Sequence, residues 1–208
     1  MPRCYGTGMT MRMKMFAVAG AISMAAPASA GERVPLVPFK SPVIFAPYRP
    51  AVVSSDHPFA GRIRIEPIVG MPDRVGSFLN TFVRVKEMNR ALADTLAASG
   101  MAAKAPQAAP YHLVVTWLAF ESPFKISTSS RAKATLRYEL RRTDSEEVIF
   151  RRDVVTSAQA SGGVASERQR GTVRAALAAN LAGAMWCLEQ SPLGKAPLNC
   201  TTAPVGSF

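Results

Sequence analysis

The chain has 208 residues, with 25 Lys or Arg against 14 Asp or Glu, a formal net charge of +11 and 8% aromatic residues. This length suffices for one domain with a moderate core. Acidic and aromatic side chains are both sparse, which argues against an enzyme of this size. Zinc-binding, phosphate-loop and Gly-x-Ser-x-Gly motifs do not occur in the sequence.

The first thirty residues have the pattern of a secretory signal peptide. Two basic residues, Arg12 and Lys14, precede an apolar run at 16–26. The tripeptide at 28–30, Ala-Ser-Ala, has the small-x-small form of a cleavage site. The apolar run is shorter than the roughly 20 residues that span a bilayer. The pattern therefore predicts a leader that directs export.

We predict cleavage between Ala30 and Gly31, with an uncleaved anchor or a buried first helix as the alternatives. Lipid-anchored bacterial proteins carry a cysteine where Gly31 stands, so we expect no lipid anchor. Loss of Arg3, Arg12 and Lys14 from 25 basic residues leaves 22 against 14 acidic residues, a net charge of about +8. Such a protein in the periplasm, or peripheral to the outer membrane, is expected to contact anionic lipid or lipopolysaccharide headgroups and no nucleic acid. The alternative is that the charge only maintains solubility.

Two cysteines remain after the leader, because Cys4 lies within it. Twelve residues separate Cys187 from Cys200. In an oxidising compartment an even pair predicts a disulfide, which would join the tail at 191–208 to the last helix. Closing so short a loop contributes about 3 kcal/mol in the chain-entropy account. Free thiols or a redox pair are the alternatives, although no Cys-x-x-Cys spacing favours redox work.

Hydrophobic periodicity predicts an extended arm followed by one domain. Six prolines between 31 and 60 favour extended backbone, and apolar residues among them favour partial docking on the domain. The domain spans 61–190 in the order strand, helix, strand, strand, strand, helix. The predicted elements are a strand at 62–66, a helix from 78 to a stop at Gly100, strands at 111–120, 132–141 and 148–155, and a helix at 167–188.

This order predicts an α+β two-layer sandwich, in which two amphipathic helices cover one face of a small mixed or antiparallel sheet. The strand at 111–120 is apolar on both faces, which is typical of a central strand covered on both sides. Ser166 and Gln169 have the spacing of a capping box at the start of the last helix. The other sheet face is expected to be wet, or to be lined by the arm.

Few residues have the types and spacing of a catalytic site. Ser122 and Lys125 match the Ser-x-x-Lys spacing of penicillin-binding enzymes, but Pro123 follows a strand and does not begin a helix. His57 is predicted in a turn of the arm and His112 at the start of a buried strand. We therefore predict no catalytic residue, no metal site and no cofactor. An envelope hydrolase that uses Ser122 or His112 is the alternative.

A basic strand face is the strongest candidate for binding. Period-two spacing places Lys133, Arg137 and Arg141 on one side of a strand. Arg151 or Arg152 joins them across the hairpin, depending on the register. Guanidinium groups suit bidentate capture of phosphate or carboxylate. The candidate binding residues are Lys133, Arg137, Arg141, Arg142, Arg151 and Arg152.

Acidic residues offer a simpler interpretation of the same face. Glu139, Asp153 and Glu66 lie on the predicted strands and would neutralise part of the positive charge. The face would then be an ordinary solvated surface. Aromatic residues do not alternate with these charges, so stacking on single-stranded nucleic acid has no support.

Five segments, by their residue pattern and their order in the chain, carry a resemblance to known proteins. They are Ile65-Glu-Pro-Ile-Val-Gly-Met-Pro72, Asn89-Arg-Ala-Leu92 with the stop at Gly100, Tyr111-His-Leu-Val-Val115, Leu136-Arg-Tyr-Glu-Leu140 and the alanine-rich last helix. Over about 61–190 this order resembles small Gram-negative envelope proteins. These include the auxiliary lipoproteins of lipid-transport ABC systems and related uncharacterised proteobacterial lipoproteins. The resemblance implies a non-catalytic binding or assembly module and offers no catalytic residue to transfer. This chain departs from it in lacking the lipid-bearing cysteine.

We therefore predict a periplasmic, non-enzymatic envelope protein that docks on a membrane component or lipid-transport partner through the hairpin, the arm or both. One alternative is the hydrolase described above. Another is a structural homo-oligomer whose last helices pair through small residues, namely Ala175, Ala178, Ala179, Ala182 and Gly183.

Overall fold

Alternating apolar and polar residues between 129 and 161 produce the two longest strands of the protein. The structure is a computed structural model that describes residues 51–76, 81–123 and 128–193. In chain order the elements are β1 (Ile63–Ile65), β2 (Arg74–Gly76), β3 (Thr81–Arg84), α1 (Val85–Ala98), β4 (Tyr111–Glu121), β5 (Ser129–Arg142), β6 (Val148–Ser161) and α2 (Ala165–Gln190), with 3-10 turns at Pro106–Ala108 and Ser191–Leu193. The predicted leader, its cleavage site at Ala30 and Gly31, the arm up to residue 50, and Cys200 lie outside the described residues.

The main sheet is mixed and has four strands in the order β1-β4-β5-β6. The short β1 pairs in parallel with β4, with Ile63 opposite Tyr111. The β4–β5 and β5–β6 pairs are antiparallel. A second, two-stranded sheet joins β2 to β3. The described residues therefore form an α+β fold with a small mixed sheet and two helices, which confirms the predicted fold class.

One face of the main sheet is buried beneath the helices. The predicted inward residues of β5, Ala134, Leu136, Tyr138 and Leu140, are fully buried. Helix α2 packs across β5 and β6, and α1 packs beside α2. On the opposite face of β5 and β6 the side chains are exposed or half-exposed, except that of Glu139, which is buried. We call this second surface, formed by β4, β5 and β6, the open face.

A buried amide fastens α2 to the sheet. Asn180 accepts a hydrogen bond from the hydroxyl of Tyr138 at 2.8 Å and donates one to the carbonyl of Val154 at 2.7 Å. Burial raises the pKa of Tyr138, so its hydroxyl keeps the proton that it donates. Thr156 adds a bond from its hydroxyl to the carbonyl of Ala176 at 2.8 Å. These contacts satisfy polar groups that would otherwise be costly to bury.

The first helix begins later than its periodicity predicted. Phe82 and Val83 belong to β3 and are buried there, and α1 begins only at Val85. The backbone N–H of Arg84 donates to the carboxylate of Glu87 at 2.8 Å, which fixes that start. The predicted stop is confirmed, because α1 ends at Ala98 and Gly100 follows with a φ of +77°.

The predicted capping box of the last helix is wrong. Helix α2 begins at Ala165 after Val164, which makes no side-chain cap. The amide of Gln169 instead donates to the hydroxyl of Ser122 at 2.9 Å and to its carbonyl at 3.2 Å. The side chain of Gln169, which the local sequence pattern assigned to the cap of α2, therefore makes a tertiary contact with Ser122 instead.

Two other expectations change in detail. Strand β4 is only partly covered on its open side, where Val114 and Thr116 are half-buried, whereas Leu113 and Val115 on its helix side are fully buried. The small-residue side of α2 is buried within this chain, with Ala175 and Ala182 at most 2% exposed. Among the described residues, no helix combines the length and the apolar character needed to cross a membrane.

Candidate functional site

The hairpin register decides which basic side chains share the open face. Glu139 lies opposite Arg151, and Tyr138 lies opposite Arg152. Because Tyr138 points into the core, Arg152 lies on the helix side of the sheet, with its guanidinium 5.8 Å from the centre of the Phe150 ring. Arg142 lies opposite Tyr111 in the neighbouring pair. The open face therefore holds Lys133, Arg137, Arg141 and Arg151, without Arg142 and Arg152.

Most of these guanidinium groups already have a carboxylate partner. Arg137 makes a bidentate contact with Asp153, with N–O distances of 2.7 and 2.9 Å. Arg141 and Arg151 donate to different oxygens of Glu139, at 2.5 and 2.6 Å. We call this turn half of the open face, formed by Arg137, Glu139, Arg141, Arg151 and Asp153, the paired block, because each of its arginines has a carboxylate at 2.9 Å or less.

The same contacts perturb the acids of the paired block. The hydrogen bond from Arg141 is the main reason that the pKa of Glu139 lies below its ordinary value, although burial of the carboxylate opposes it. Arg137 lowers the pKa of Asp153 in the same way. Both carboxylates thus remain charged in neutral solution and hold their arginines in place.

A buried histidine closes the turn end of this block. His112 is 4% exposed, and its Nε2 lies 3.2 Å from a carboxylate oxygen of Glu146. Glu146 has a φ of +56°, a left-handed conformation that is unusual for a residue with a side chain. Within the described residues, His112 Nδ1 and the neighbouring Arg64 Nε have no hydrogen-bond partner.

The far end of the open face differs. Arg131 contacts a neutral group there, since its Nη2 donates to Gln159 Oε1 at 3.2 Å. The ammonium of Lys133 lies 3.8 Å from the Glu121 carboxylate, beyond hydrogen-bonding distance. A cavity of about 720 Å³ adjoins both cations; we call it the basin. Its lining residues are Glu121, Pro123, Arg131, Lys133, Ser157, Ala158 and Gln159.

The residues of the alternative hydrolase do not come together. Ser122 follows the end of β4 and His112 lies at its start, which by the rise of a strand puts them about 30 Å apart. The Ser122 hydroxyl accepts the amide of Gln169 and contacts no described base. Lys125 lies outside the described residues. The part of the chain that the structure describes contains no cluster of three metal-ligating side chains.

His57 has a structural role that its turn position did not indicate. Its Nδ1 accepts the backbone N–H of Phe59 at 3.2 Å, so Nε2 carries the proton and donates to the carbonyl of Glu189 at 3.0 Å. The residues before β1 are thereby joined to the last turn of α2.

Sequence analysis missed Arg131 as a candidate binding residue. The predicted strand began at residue 132, whereas β5 begins at Ser129, so that Arg131 continues the period of Lys133. Extending the alternation by one step toward the N-terminus would have found it. The basin itself depends on β6 reaching Ser161, six residues beyond its predicted end.

No family model matches this chain, and no curated protein matches it in sequence. A DUF330 protein of Xanthomonas campestris is 14% identical with a TM-score of 0.48, over 70% of this chain and 83% of that one. A Caulobacter crescentus protein that is provisionally classed as a lipoprotein is 12% identical with a TM-score of 0.47, over 69% and 99%. A PelC dodecamer from Paraburkholderia phytofirmans is 16% identical with a TM-score of 0.33, over 64% and 91%. Likenesses at these scores carry no inference about function.

Proposed function

We propose that this protein is an exported, non-enzymatic binding module of the cell envelope, which contacts an anionic partner through the basin end of its open face. The observation that carries the proposal is the pair Arg131 and Lys133, which border the basin and have no described carboxylate within hydrogen-bonding distance. A sheet face left uncovered by the described helices gives a large partner access to that pair.

The side-chain chemistry supports binding over turnover. The hydroxyl of Ser122 is engaged by an amide, and His112 lies at the other end of β4. A nucleophile needs a base within hydrogen-bonding reach, and neither residue meets that requirement among the described contacts. Cations that lack a closely bound acid, such as Arg131 and Lys133, can attract an anion without any covalent bond being formed or broken.

The predicted leader supports the envelope as the place of action. Its basic start, apolar run and small-x-small end would export the chain, and the remaining +8 charge would favour anionic surfaces. The resemblance of the segments at 65–72 and 111–115 to auxiliary lipoproteins supports an outer-membrane or lipid-transport component as the partner. Affinity capture from envelope fractions with the mature chain tests that association.

Binding is tested with the mature chain, residues 31–208, and vesicles of phosphatidylglycerol in phosphatidylcholine. We expect retention on these vesicles at low salt, little retention on phosphatidylcholine alone, and release as the ionic strength rises. Lipopolysaccharide provides a second anionic surface. A chain that ignores both at low salt would overturn the proposal.

Export is tested on the protein from its native cell. We expect the mass of a chain that begins at Gly31, with no thiol open to alkylation before reduction, in a periplasmic extract. An unprocessed cytosolic chain with reduced Cys187 and Cys200 would contradict the envelope part of the proposal.

A further inference from the structure

We propose that the basin is a phosphate-binding subsite built by four side chains, Arg131 and Lys133 of β5 with Ser157 and Gln159 of β6. The inference rests on the proposed function and specifies the chemical group that the open face captures. The ligand is a phosphate ester, either the headgroup of a lipid or a soluble phosphorylated molecule.

The strand register brings these four residues together. Lys133 lies directly opposite Ser157, and Arg131 lies directly opposite Gln159. Paired strands lie about 4.8 Å apart, and alternate residues of one strand about 6.8 Å apart. The four side chains therefore rise from the corners of a small rectangle on one face, within reach of a single phosphate group.

The four side chains of this rectangle all carry hydrogen-bond donors, which an oxyanion requires. The guanidinium, the ammonium, the hydroxyl and the side-chain amide of Gln159 all carry N–H or O–H donors. The guanidinium of Arg131 now donates to a neutral oxygen, which a phosphate oxygen would replace with a charge-assisted bond. The ammonium of Lys133 can turn from Glu121, because their 3.8 Å contact is long and both side chains are about half-exposed or more.

Weaker pairing, rather than net charge, favours phosphate in the basin over the paired block. The basin cations have one acid, Glu121, at 3.8 Å from Lys133, whereas Glu139 and Asp153 hold their arginines at 2.5–2.9 Å in the paired block. An anion at the paired block would have to displace a bound carboxylate. The basin volume of about 720 Å³ exceeds that of one phosphate group, so the ligand has room for a glycerol or sugar unit.

The decisive variant replaces Arg131 and Lys133 with glutamine in the mature chain. The matched control replaces Lys86 and Arg90 with glutamine on exposed positions of α1, which changes the net charge equally on another surface. At about 1 kcal/mol for each basic side chain, we expect roughly 30-fold weaker binding to phosphatidylglycerol vesicles for the basin variant. We expect less than a threefold change for the control. Equal losses in both variants would overturn the subsite.

Replacing Ser157 with alanine removes a donor without changing the charge. Ser157 is exposed on β6, so we expect the fold to persist and binding to weaken about fivefold, the value of one hydrogen bond. Attraction by diffuse charge alone predicts no change, and that result would also overturn the subsite. Salt-dependent retention of the unaltered chain would then leave the proposed function standing. Absence of that retention is instead a failure of the proposed function.

Glycerol 3-phosphate separates the two sources of the phosphate group. Saturable binding of this compound, lost in the basin variant, assigns the subsite to soluble phosphate esters. Vesicle binding that is lost in the variant but resists competition by this compound assigns it to a headgroup within a bilayer. If the basin variant binds both probes as tightly as the unaltered chain, the subsite is wrong.

Discussion

The two ends of the open face carry the same types of basic side chain but give them different partners. At the turn end, Arg137, Arg141 and Arg151 each meet a carboxylate at 2.9 Å or less. At the basin end, Arg131 meets a neutral amide oxygen and Lys133 has only a long contact with an acid. A row of cations therefore indicates a binding surface only where the register leaves those cations without close acids.

The two ends of the open face also differ in what their charged side chains contribute. In the paired block, charge is used to hold β5 against β6 beside the turn. At the basin end, exposed cations contribute little to stability, and their charge remains available to a ligand. Substitutions along this hairpin should therefore separate stability from binding.

The largest effect on stability is expected beneath the hairpin, where Asn180 joins α2 to β5 and β6. Replacing Asn180 with alanine leaves the hydroxyl of Tyr138 and the carbonyl of Val154 buried without their partner, so we expect a loss of about 3 kcal/mol in unfolding free energy. Urea denaturation provides the measurement. In a Tyr138→Phe background the loss should be smaller by about 1 kcal/mol, and strict additivity would contradict the shared bond.

A smaller loss is expected in the paired block. Replacing Glu139 with glutamine removes its negative charge and one of the two oxygens that accept from Arg141 and Arg151, and we expect a loss of about 1–2 kcal/mol at pH 7. Because the pKa of Glu139 is lowered in the folded protein, its contribution is present above the ordinary value of 4.5 and disappears as the pH falls through the folded pKa.

The comparison of this variant with the unaltered protein is therefore made at two pH values. The difference in unfolding free energy should shrink as the pH falls from 7 to below 4. A difference that stays constant across that range would show that the carboxylate charge of Glu139 contributes nothing.

The next largest effect on stability is expected for the hydrogen bond between Ser122 and Gln169, which lies beside the basin. Replacing Ser122 with alanine removes the hydroxyl that accepts the amide of Gln169, and we expect a loss of about 1 kcal/mol. Labelling by serine-directed fluorophosphonate probes should be the same before and after the change. Labelling that disappears in the variant would revive the hydrolase alternative.

The smallest effect on stability is expected at the basin. Replacing Arg131 and Lys133 with glutamine should change the unfolding free energy by less than about 0.5 kcal/mol, because both side chains are exposed and weakly paired. Thermal unfolding checks this value alongside the vesicle measurement. A large loss would show that these cations support the fold and would remove the contrast between the two ends.

Periodicity predicted which residues of the long strands point inward, because one buried face imposes the alternation, but it did not predict the full length of β5 and β6 or the short strands β2 and β3. Leu136 and Tyr138 point inward as their alternation required, and β4 begins where its apolar run begins. Helix ends were harder to predict. Thr81–Arg84 pairs with β2 although its apolar spacing fits a helix, and Gln169 reaches a distant serine.

The binding surface was less predictable, because the register of β5 against β6 decides which acid each basic side chain contacts. A bulge between Leu140 and Arg141 shifts the pairing near the turn, so that Leu140 faces Phe150 while Arg141 faces Val148. Counting residues from the turn cannot reveal that shift. The sequence could suggest that acids neutralise the face, but only the pairing shows that they do so at one end.

The contact between His57 and Glu189 has a consequence for the order of assembly. These residues are 132 positions apart, so the earlier one must wait for almost the whole chain to be made. At common rates of synthesis that delay is roughly 10 s, far longer than local helix formation takes. The segment ahead of β1 can thus close onto α2 only after residue 189 has been made, and in the exported chain that we propose it closes only after that residue has also crossed the membrane.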